Sequence, residues 1–542
     1  MADLLRLLAM ATAAYRAYAW LGASGLVVVL GVSWVRAALL MVAVVLGGCA
    51  VLPSHVERAA TYALTDVADT TLAKTAAAST PQDRRDLSGF RLLPDGEEAI
   101  RTRLALIRAA EKSLDVQYYL IADDRTGTEF LGALREAAAR GVRVRVLVDD
   151  LYANGEDALF AETGAVPNVE VRMFNPLPVR GGSFVTRVAL SMHQFSRINH
   201  RMHNKLFIAD GSLAVFGGRN IADEYFGRSE HANFIDADML ASGPVVAGLA
   251  AVFDSFWNSE HAYPIQALVS QAAARGAGLA PDAGTANRPP AQEWIRSGSA
   301  SLGAADEVAA GFIHLEFGSS EVIADAPSKV ESDGKSEGAP ALGTRELLER
   351  AESSAFVSSP YFIPGANDLA ALARARRAGV DVQVLTNSMQ STDEPLVYIG
   401  FAKHAAALAA MGVDLREVSG QERASGDEQA PAIGRLGASM SRLHAKLAIV
   451  DRRWSSIGSF NMDKRSSLWN TEMVVHVDCV GLARELEAWA QANVPEHDSR
   501  NGAGGGSTPS ASGEAHRQSV SAASSSRWWQ RAAVAVVNED FL

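Results

Sequence analysis

Two short segments of this chain carry side chains that could do chemistry together. The first is His203-Asn204-Lys205, followed by Asp210 and by Gly217-Gly218-Arg219-Asn220; the second is His444-Ala445-Lys446, followed by Asp451 and by Gly458-Ser459-Phe460-Asn461. Counted from each histidine, Lys stands at +2, Asp at +7, Gly at +14 and Asn at +17, and the copies lie 241 residues apart. A lone His-x-Lys is most often a surface pair on a strand. Two copies with four further matched positions form a functional pattern. His and Lys two apart on a strand share one face. Where two such pairs face one cleft, two imidazoles, two ammonium groups and two Asn amides surround one point. That set suits an anionic tetrahedral group better than a metal, because lysine supplies charge and the ligand count is poor.

Around a phosphodiester the two histidines divide the work. One, neutral, attacks phosphorus and forms a phosphohistidine. The other, protonated, gives its proton to the leaving alcohol and then takes one from the incoming alcohol or water. Histidine suits both tasks because it titrates near neutrality, and the pair titrates as one unit.

The elements that must position these residues repeat as well. Glu97–Glu111 has helical spacing, with Ile100, Leu104 and Ile107 on one face. Leu114–Ile121 reads as a strand, Thr128–Arg140 as a helix ended by Gly141, and 142–148 and 169–174 as further strands. Leu206–Ala209 and Leu447–Val450 continue the motifs as buried strand, with Ala214–Phe216 and Ser455–Ile457 as the strands that follow. Ala110-Glu111-Lys112-Ser113 matches Ala351-Glu352-Ser353-Ser354, again 241 apart, and the Gly141–Leu147 run matches Gly379–Leu385 at 238. The fold expected is α/β: two similar lobes packed with pseudo-twofold symmetry and an active site between them.

Composition bounds the partners. The 542 residues hold 50 Lys plus Arg against 62 Asp plus Glu, a net charge of −12, which argues against broad nucleic-acid binding. With 48% hydrophobic and 21% charged residues the chain can build cores and is not largely disordered. Two cysteines, Cys49 and Cys479, exclude a disulfide framework and a Cys-rich zinc module. No metal or other cofactor is expected. His193 and His200 lie near the first motif without Cys or carboxylate at ligand spacing and read as loop residues. Tyr118, Tyr119 and Tyr361 read as core, with the lining of a lipid cleft as the alternative, and Arg140, Arg143 and Arg145 as a solvated or membrane-facing edge.

From Ala17 to Pro53 the one charged residue is Arg36. The 19 uncharged residues Ala17–Val35 approach the length of a membrane-spanning helix. After Arg36 an apolar run leads to Leu46-Gly47-Gly48-Cys49, which resembles a bacterial lipoprotein box with Cys49 as the lipidated residue. A secretory signal there places the start of translation near Val32. The expected division is a signal or anchor segment (1–49), an N-terminal extension (50–95), a first lobe (96–265) and a connecting segment (266–342) with loops at 272–301 and 325–343. A second lobe (343–496), a Gly/Ser-rich linker (497–526) and a Trp/Arg interfacial tail (527–542) follow.

The paired motifs resemble the phospholipase D superfamily over roughly residues 92–262 and 343–478. The resemblance implies a metal-independent phosphohistidine mechanism, with His203 as nucleophile and His444 as acid/base. It implies phosphate contacts by Lys205, Lys446, Asn220, Ser459 and Asn461, organising roles for Asp210 and Asp451, and Glu472 orienting an active-site histidine with Asp238 as its first-lobe counterpart. Gly218, where the second copy has Ser459, departs from the repeat. Leu114–Tyr119, Phe174-Asn175-Pro176, Arg201–Lys205, Gly217–Ile221 and Gly458–Arg465 look like the C-type bacterial cardiolipin synthases. These imply transfer of a phosphatidyl group to phosphatidylglycerol, with phosphatidylethanolamine as donor, in a membrane-anchored enzyme of the bacterial envelope that leaves room for a small activating partner protein. A hydrolytic phospholipase D would use the same site with water as acceptor. A nuclease of the superfamily fits the charge and the tether poorly, and a catalytically dead scaffold fits poorly with two complete motifs.

Overall fold

The computed structural model describes residues 52–493 except 54, 154–155, 181–183, 270–302 and 419–439. Cys49, the apolar N-terminal runs, the loop at 272–301, the Gly/Ser-rich linker and the Trp/Arg tail lie outside these residues. Among the described residues no helix is long and apolar enough to cross a membrane. Leu177–Phe195 groups as a compact unit apart from the rest; within it, helix Phe184–Ser191 runs into a 3-10 turn, Met192–Gln194. The remaining described residues, from Pro53, form the other unit, which holds everything that follows.

Seventeen strands are described: β1 (Ser88–Leu93), β2 (Ser113–Tyr118), β3 (Arg143–Asp149), β4 (Val169–Phe174), β5 (Leu206–Ala209), β6 (Leu213–Gly217), β7 (Ala232–Ile235), β8 (Asp238–Ser242), β9 (Ala262–Pro264), β10 (Glu316–Ala324), β11 (Ser354–Ser358), β12 (Asp381–Asn387), β13 (Asp414–Val418), β14 (Met440–Leu443), β15 (Leu447–Val450), β16 (Trp454–Gly458) and β17 (Met473–Asp478). Fifteen of them make one continuous sheet in the order β13-β12-β11-β15-β16-β17-β10-β1-β8-β6-β5-β2-β3-β4-β9. Read outward from the β10–β1 seam, β10-β17-β16-β15-β11-β12-β13 repeats β1-β8-β6-β5-β2-β3-β4, with matching parallel and antiparallel pairs. The seam joins equivalent strands antiparallel, Gly89 opposite Phe317, so it carries the pseudo-twofold relation. The two lobes are thus halves of one sheet. β1 lies in the stretch read from sequence as an extension, and β10 in that read as a connector.

Local chemistry explains the elements. Asp95 caps helix Gly96–Ala109 by accepting from the Glu98 N–H at 3.0 Å, and Ile100, Leu104 and Ile107 are buried on its inner face. Asp124 caps helix Arg125–Ala139 in the same way. Gly141 and Gly379 take positive φ (98° and 89°) at the turns into β3 and β12, where a side chain would strain the backbone. Helix Pro244–Trp257 packs on β10 and helix Val480–Asn493 on β1, so each half's helix crosses the seam.

Of the basic run, Arg140 is exposed and Arg143 half-buried, but Arg145 is not on a solvated edge. Arg145 is buried between Asp115 (2.7 Å) and Asp254 (2.8 Å), and it donates to the Thr61 carbonyl of a strap formed by residues 58–63. Arg172 and Arg58 fasten the same strap through the Ala59 and Ala262 carbonyls. Arg140 donates to the Ile107 carbonyl. Asp115→Ala is expected to lower the unfolding free energy in urea by about 3 kcal/mol, the cost of leaving a buried cation short of its partner. A loss below about 0.5 kcal/mol would mean that Asp254 alone suffices.

Candidate active site

Each motif histidine begins a stretch just before an inner strand of its own half and is held by the other half. His203 donates its backbone N–H to the Thr471 carbonyl (2.9 Å), and the Thr471 N–H returns to the Arg201 carbonyl (2.8 Å). In the symmetric place β14 pairs parallel with β7, and the His444 N–H reaches the Ile235 carbonyl at 2.8 Å. The side chains cross in the same way. His203 Nδ1 lies 3.0 Å from both carboxylate oxygens of Glu472, and His444 Nδ1 lies 2.6 Å from Asp236 Oδ2. A carboxylate against Nδ1 makes that nitrogen the proton carrier and leaves Nε2 for chemistry.

Asp236, not Asp238, is therefore the partner of His444. The strand register explains the two-residue shift: Gly217 opposes Asp238 in β6–β8, and the matched Gly458 opposes Val474 in β16–β17. The residue two before each is Asp236 and Glu472. Asp238 is instead buried against Arg103 (2.7 Å) and Arg219 in the first half's packing. The sequence reading gives the orienting role to Asp238, and the strand ladder moves it to Asp236.

The register also explains Gly218. A Cβ there would sit 2.3 Å from Asp236 Oδ1, so the bare glycine makes room for the carboxylate. At the matched Ser459 the longer Glu472 is held instead: Ser459 Oγ donates to Glu472 Oε2 at 2.5 Å. That hydroxyl is engaged with Glu472, which corrects its sequence-based placement among the phosphate contacts. Asp325, in the stretch read as a loop, holds the backbone of the same residue by accepting from the Glu472 N–H at 3.0 Å.

Lys205 and Lys446 are buried and donate to the carbonyls of His203 and His444 at 2.5 and 2.6 Å. Asn220 and Asn461 are buried, and the side-chain oxygen of each lacks a partner; Asn220 Nδ2 donates to the Tyr225 hydroxyl. The motif aspartates stand at the far ends of β5 and β15. Asp210 accepts from the N–H groups of Glu111, Lys112 and Ser113, and Asp451 from those of Glu352, Ser353 and Ser354. They clamp the turn into β2 and β11 and do not line the pocket.

Aromatic rings wall both histidines. The Tyr119 ring stands edge-on to His203 at 5.2 Å, and it packs on Tyr152. Tyr225 and Phe234 lie 5.0 and 4.8 Å from His444. Tyr119 is therefore a site residue rather than plain core; its period-2 spacing from Asp115 and Gln117, opposite Leu114, Val116 and Tyr118, was the signal for it. Tyr118 is core, and Tyr361 donates to Asp393. His200 is buried against Trp469.

Electrostatically the pocket awaits an anion. Burial, with the lysines adding to it, holds His203 at about 4 and His444 at about 3; Glu472 and Asp236 oppose this. Burial also lowers Lys446 to about 8 and puts Lys205 well below its usual range. It pushes Asp236 up, but His444 and Lys446 outweigh it and leave Asp236 at about 2. An entering phosphodiester anion favours the charged form of every base here, so it raises the histidines toward working range.

The sequence model of the family described as cardiolipin synthase, PLD-like domain, matches residues 104–257 and 344–493. Cardiolipin synthase C of Escherichia coli is 34% identical over 392 residues, covering 72% of this chain and 81% of that protein. Cardiolipin synthase A of Pseudomonas syringae is 27% identical, covering 74% of this chain and 68% of that protein. Among solved structures, a phosphatidylserine synthase of Haemophilus influenzae shares the fold at 14% identity, with a TM-score of 0.50 and coverage of 77% of this chain and 90% of that chain.

Two outcomes follow from the geometry. Asp236→Asn is expected to cut phosphodiester turnover at least about a hundredfold by losing the tautomer lock, with little change in stability. Asp238→Asn should instead lower the unfolding free energy by about 3 kcal/mol because Arg103 loses its counterion; reversed effects would return the orienting role to Asp238. Second, the affinity for sulfate, whose charge is constant over this range, should fall as pH rises above about 8. There Lys446 loses its proton in the empty pocket but keeps it when the anion is bound. Calorimetry should show the slope reduced in Lys446→Gln, and an affinity flat from pH 7 to 10 would contradict the lowered Lys446.

Proposed function

The chain belongs to the family of cardiolipin synthase, PLD-like domain proteins, and from that premise we propose that it is a phosphatidyltransferase that makes cardiolipin from phosphatidylglycerol. The observation that carries the reading is the reciprocal pairing of two buried His–carboxylate units, each with its lysine and each histidine close enough to feel the other unit's lysine.

His203 Nε2 attacks the phosphorus of a phosphatidyl donor, and the P–O bond to the departing alcohol breaks as His444 supplies that oxygen with a proton. Lys205, Lys446, Asn220 and Asn461 hold the non-bridging oxygens, where charge concentrates in the transition state. In the second step His444 takes the proton from the glycerol hydroxyl of phosphatidylglycerol. That oxygen attacks phosphorus, the P–N bond breaks, and His203 returns to its neutral form. Glu472 steadies the charge on the phosphorylated imidazole, and Asp236 that on the protonated acid/base. Phosphatidylethanolamine as donor and a lipid anchor at Cys49 complete the proposal. They are supported by the C-type sequence runs and by the Leu46–Cys49 segment, and an anchored enzyme meets lipids at a membrane surface.

Lipid mass spectrometry on the purified protein in mixed micelles tests this. Phosphatidylglycerol, with and without phosphatidylethanolamine, is expected to yield cardiolipin with the wild type and at least about a thousandfold less with His203→Ala or His444→Ala. Phosphatidic acid without cardiolipin would make the enzyme a hydrolase, and neither product would count against the reading unless a partner protein restores it.

A further inference from the structure

The repeat places one arginine two residues before each histidine, Arg201 and Arg442, and the two halves treat them differently. Arg201 is fully buried and fully engaged. Its Nη1 lies 3.1 Å from Asp149 Oδ1, Nη2 donates to the Asn175 carbonyl, and Nε donates to the His200 carbonyl. Asp149 ends β3 and also accepts from the Met202 N–H at 2.8 Å. At the matched end of β12 stands Asn387, whose Oδ1 accepts from the Leu443 N–H, also at 2.8 Å. The backbone pin is thus kept in both halves, but in the second the carboxylate is replaced by a neutral amide. Among the described residues, no carboxylate stands beside Arg442 as Asp149 does beside Arg201. Arg442 is half-buried, and its Nε is buried without a hydrogen-bond partner among the described residues. Glu224 feels its charge, but no ion pair forms between them.

Arg442 also stands where it can serve His444. In the parallel β7–β14 pair its cross-strand partner is Phe234. Such partners project to the same face, and the Phe234 ring packs on His444 at 4.8 Å. Arg442 and His444 are two residues apart, about 6.6 Å along an extended chain. This register puts Arg442 on the His444 side of the site.

We infer that Arg442 binds the second phosphate of the reaction, the phosphodiester that the acceptor lipid already carries. The inference rests on the proposed function. The acceptor alcohol must reach His444 to give up its proton, and a three-carbon glycerol bridge then sets its own phosphate a short step from the reacting phosphorus. An unpaired arginine makes charge-assisted, bidentate contacts to such an anion. Arg442 is then a specificity determinant for a phosphate-bearing acceptor over water or a plain alcohol.

The test compares acceptors with one donor, phosphatidylethanolamine, in mixed micelles. Phosphatidylglycerol carries the second phosphate; free glycerol and water do not. In Arg442→Gln the ratio of cardiolipin to the products of glycerol and water is expected to fall about tenfold, with the loss seen as a raised KM for phosphatidylglycerol. Arg442→Lys should recover part of it. A ratio unchanged from wild type, whether or not overall turnover drops, overturns the role of Arg442 while leaving cardiolipin synthesis intact. A wild type that uses glycerol and water but never phosphatidylglycerol overturns the proposed function and this inference together.

Discussion

The structure depends on an exchange of carboxylates between two equivalent halves. Glu472 of the second half orients His203 of the first, and Asp236 of the first orients His444 of the second. A histidine with its Nδ1 held by a buried acid has one tautomer and one free nitrogen. Neither half can supply this for itself, because the acid enters on the strand that crosses over. The short parallel pairings of Met202 with Thr471 and of β14 with β7 bring those strands together. The continuous sheet and the helices that pack across its seam hold them in register.

Charge balance is the second consequence. The empty pocket buries two lysines and two imidazoles with two carboxylates, and the imidazoles yield by remaining neutral. A phosphodiester adds the missing negative charge at the point where the lysines converge, and protons become favourable on the histidines when there is substrate to use them. The aromatic walls of Tyr119, Tyr225 and Phe234 keep the dielectric low, which strengthens each of these effects.

The two halves are similar but not interchangeable. Gly218 admits the short reach of Asp236, whereas Ser459 braces the longer Glu472. Asp149 pairs with Arg201, whereas the matched Asn387 offers Arg442 no carboxylate. Both differences keep the backbone geometry and change only what the side chains offer. A duplicated scaffold can thereby give one histidine a closed setting and leave the other beside a cation for a second substrate.

The duplication, the α/β class and the two His-Lys pairs were legible in the order of residues, because they rest on spacing and on residue chemistry; that Glu472 orients an active-site histidine came from the family resemblance, and which histidine came from the structure. Period-2 and 3.6-residue patterns placed the inner strands and the helices that flank them. What the sequence could not separate was Asp236 from Asp238, or a phosphate-facing hydroxyl from one turned to a carboxylate at Ser459. Nor could it tell a solvated Arg145 from a buried one, or an idle connector from β10. Each of these turns on which residue lies across a ladder from which, and partners such as Gly217 and Asp238 are twenty or more positions apart along the chain. Spacing along the chain determined which groups this protein owns. Register between strands decided which of them meet, since a shift of two residues keeps a side chain on the same face but hands it a different neighbour.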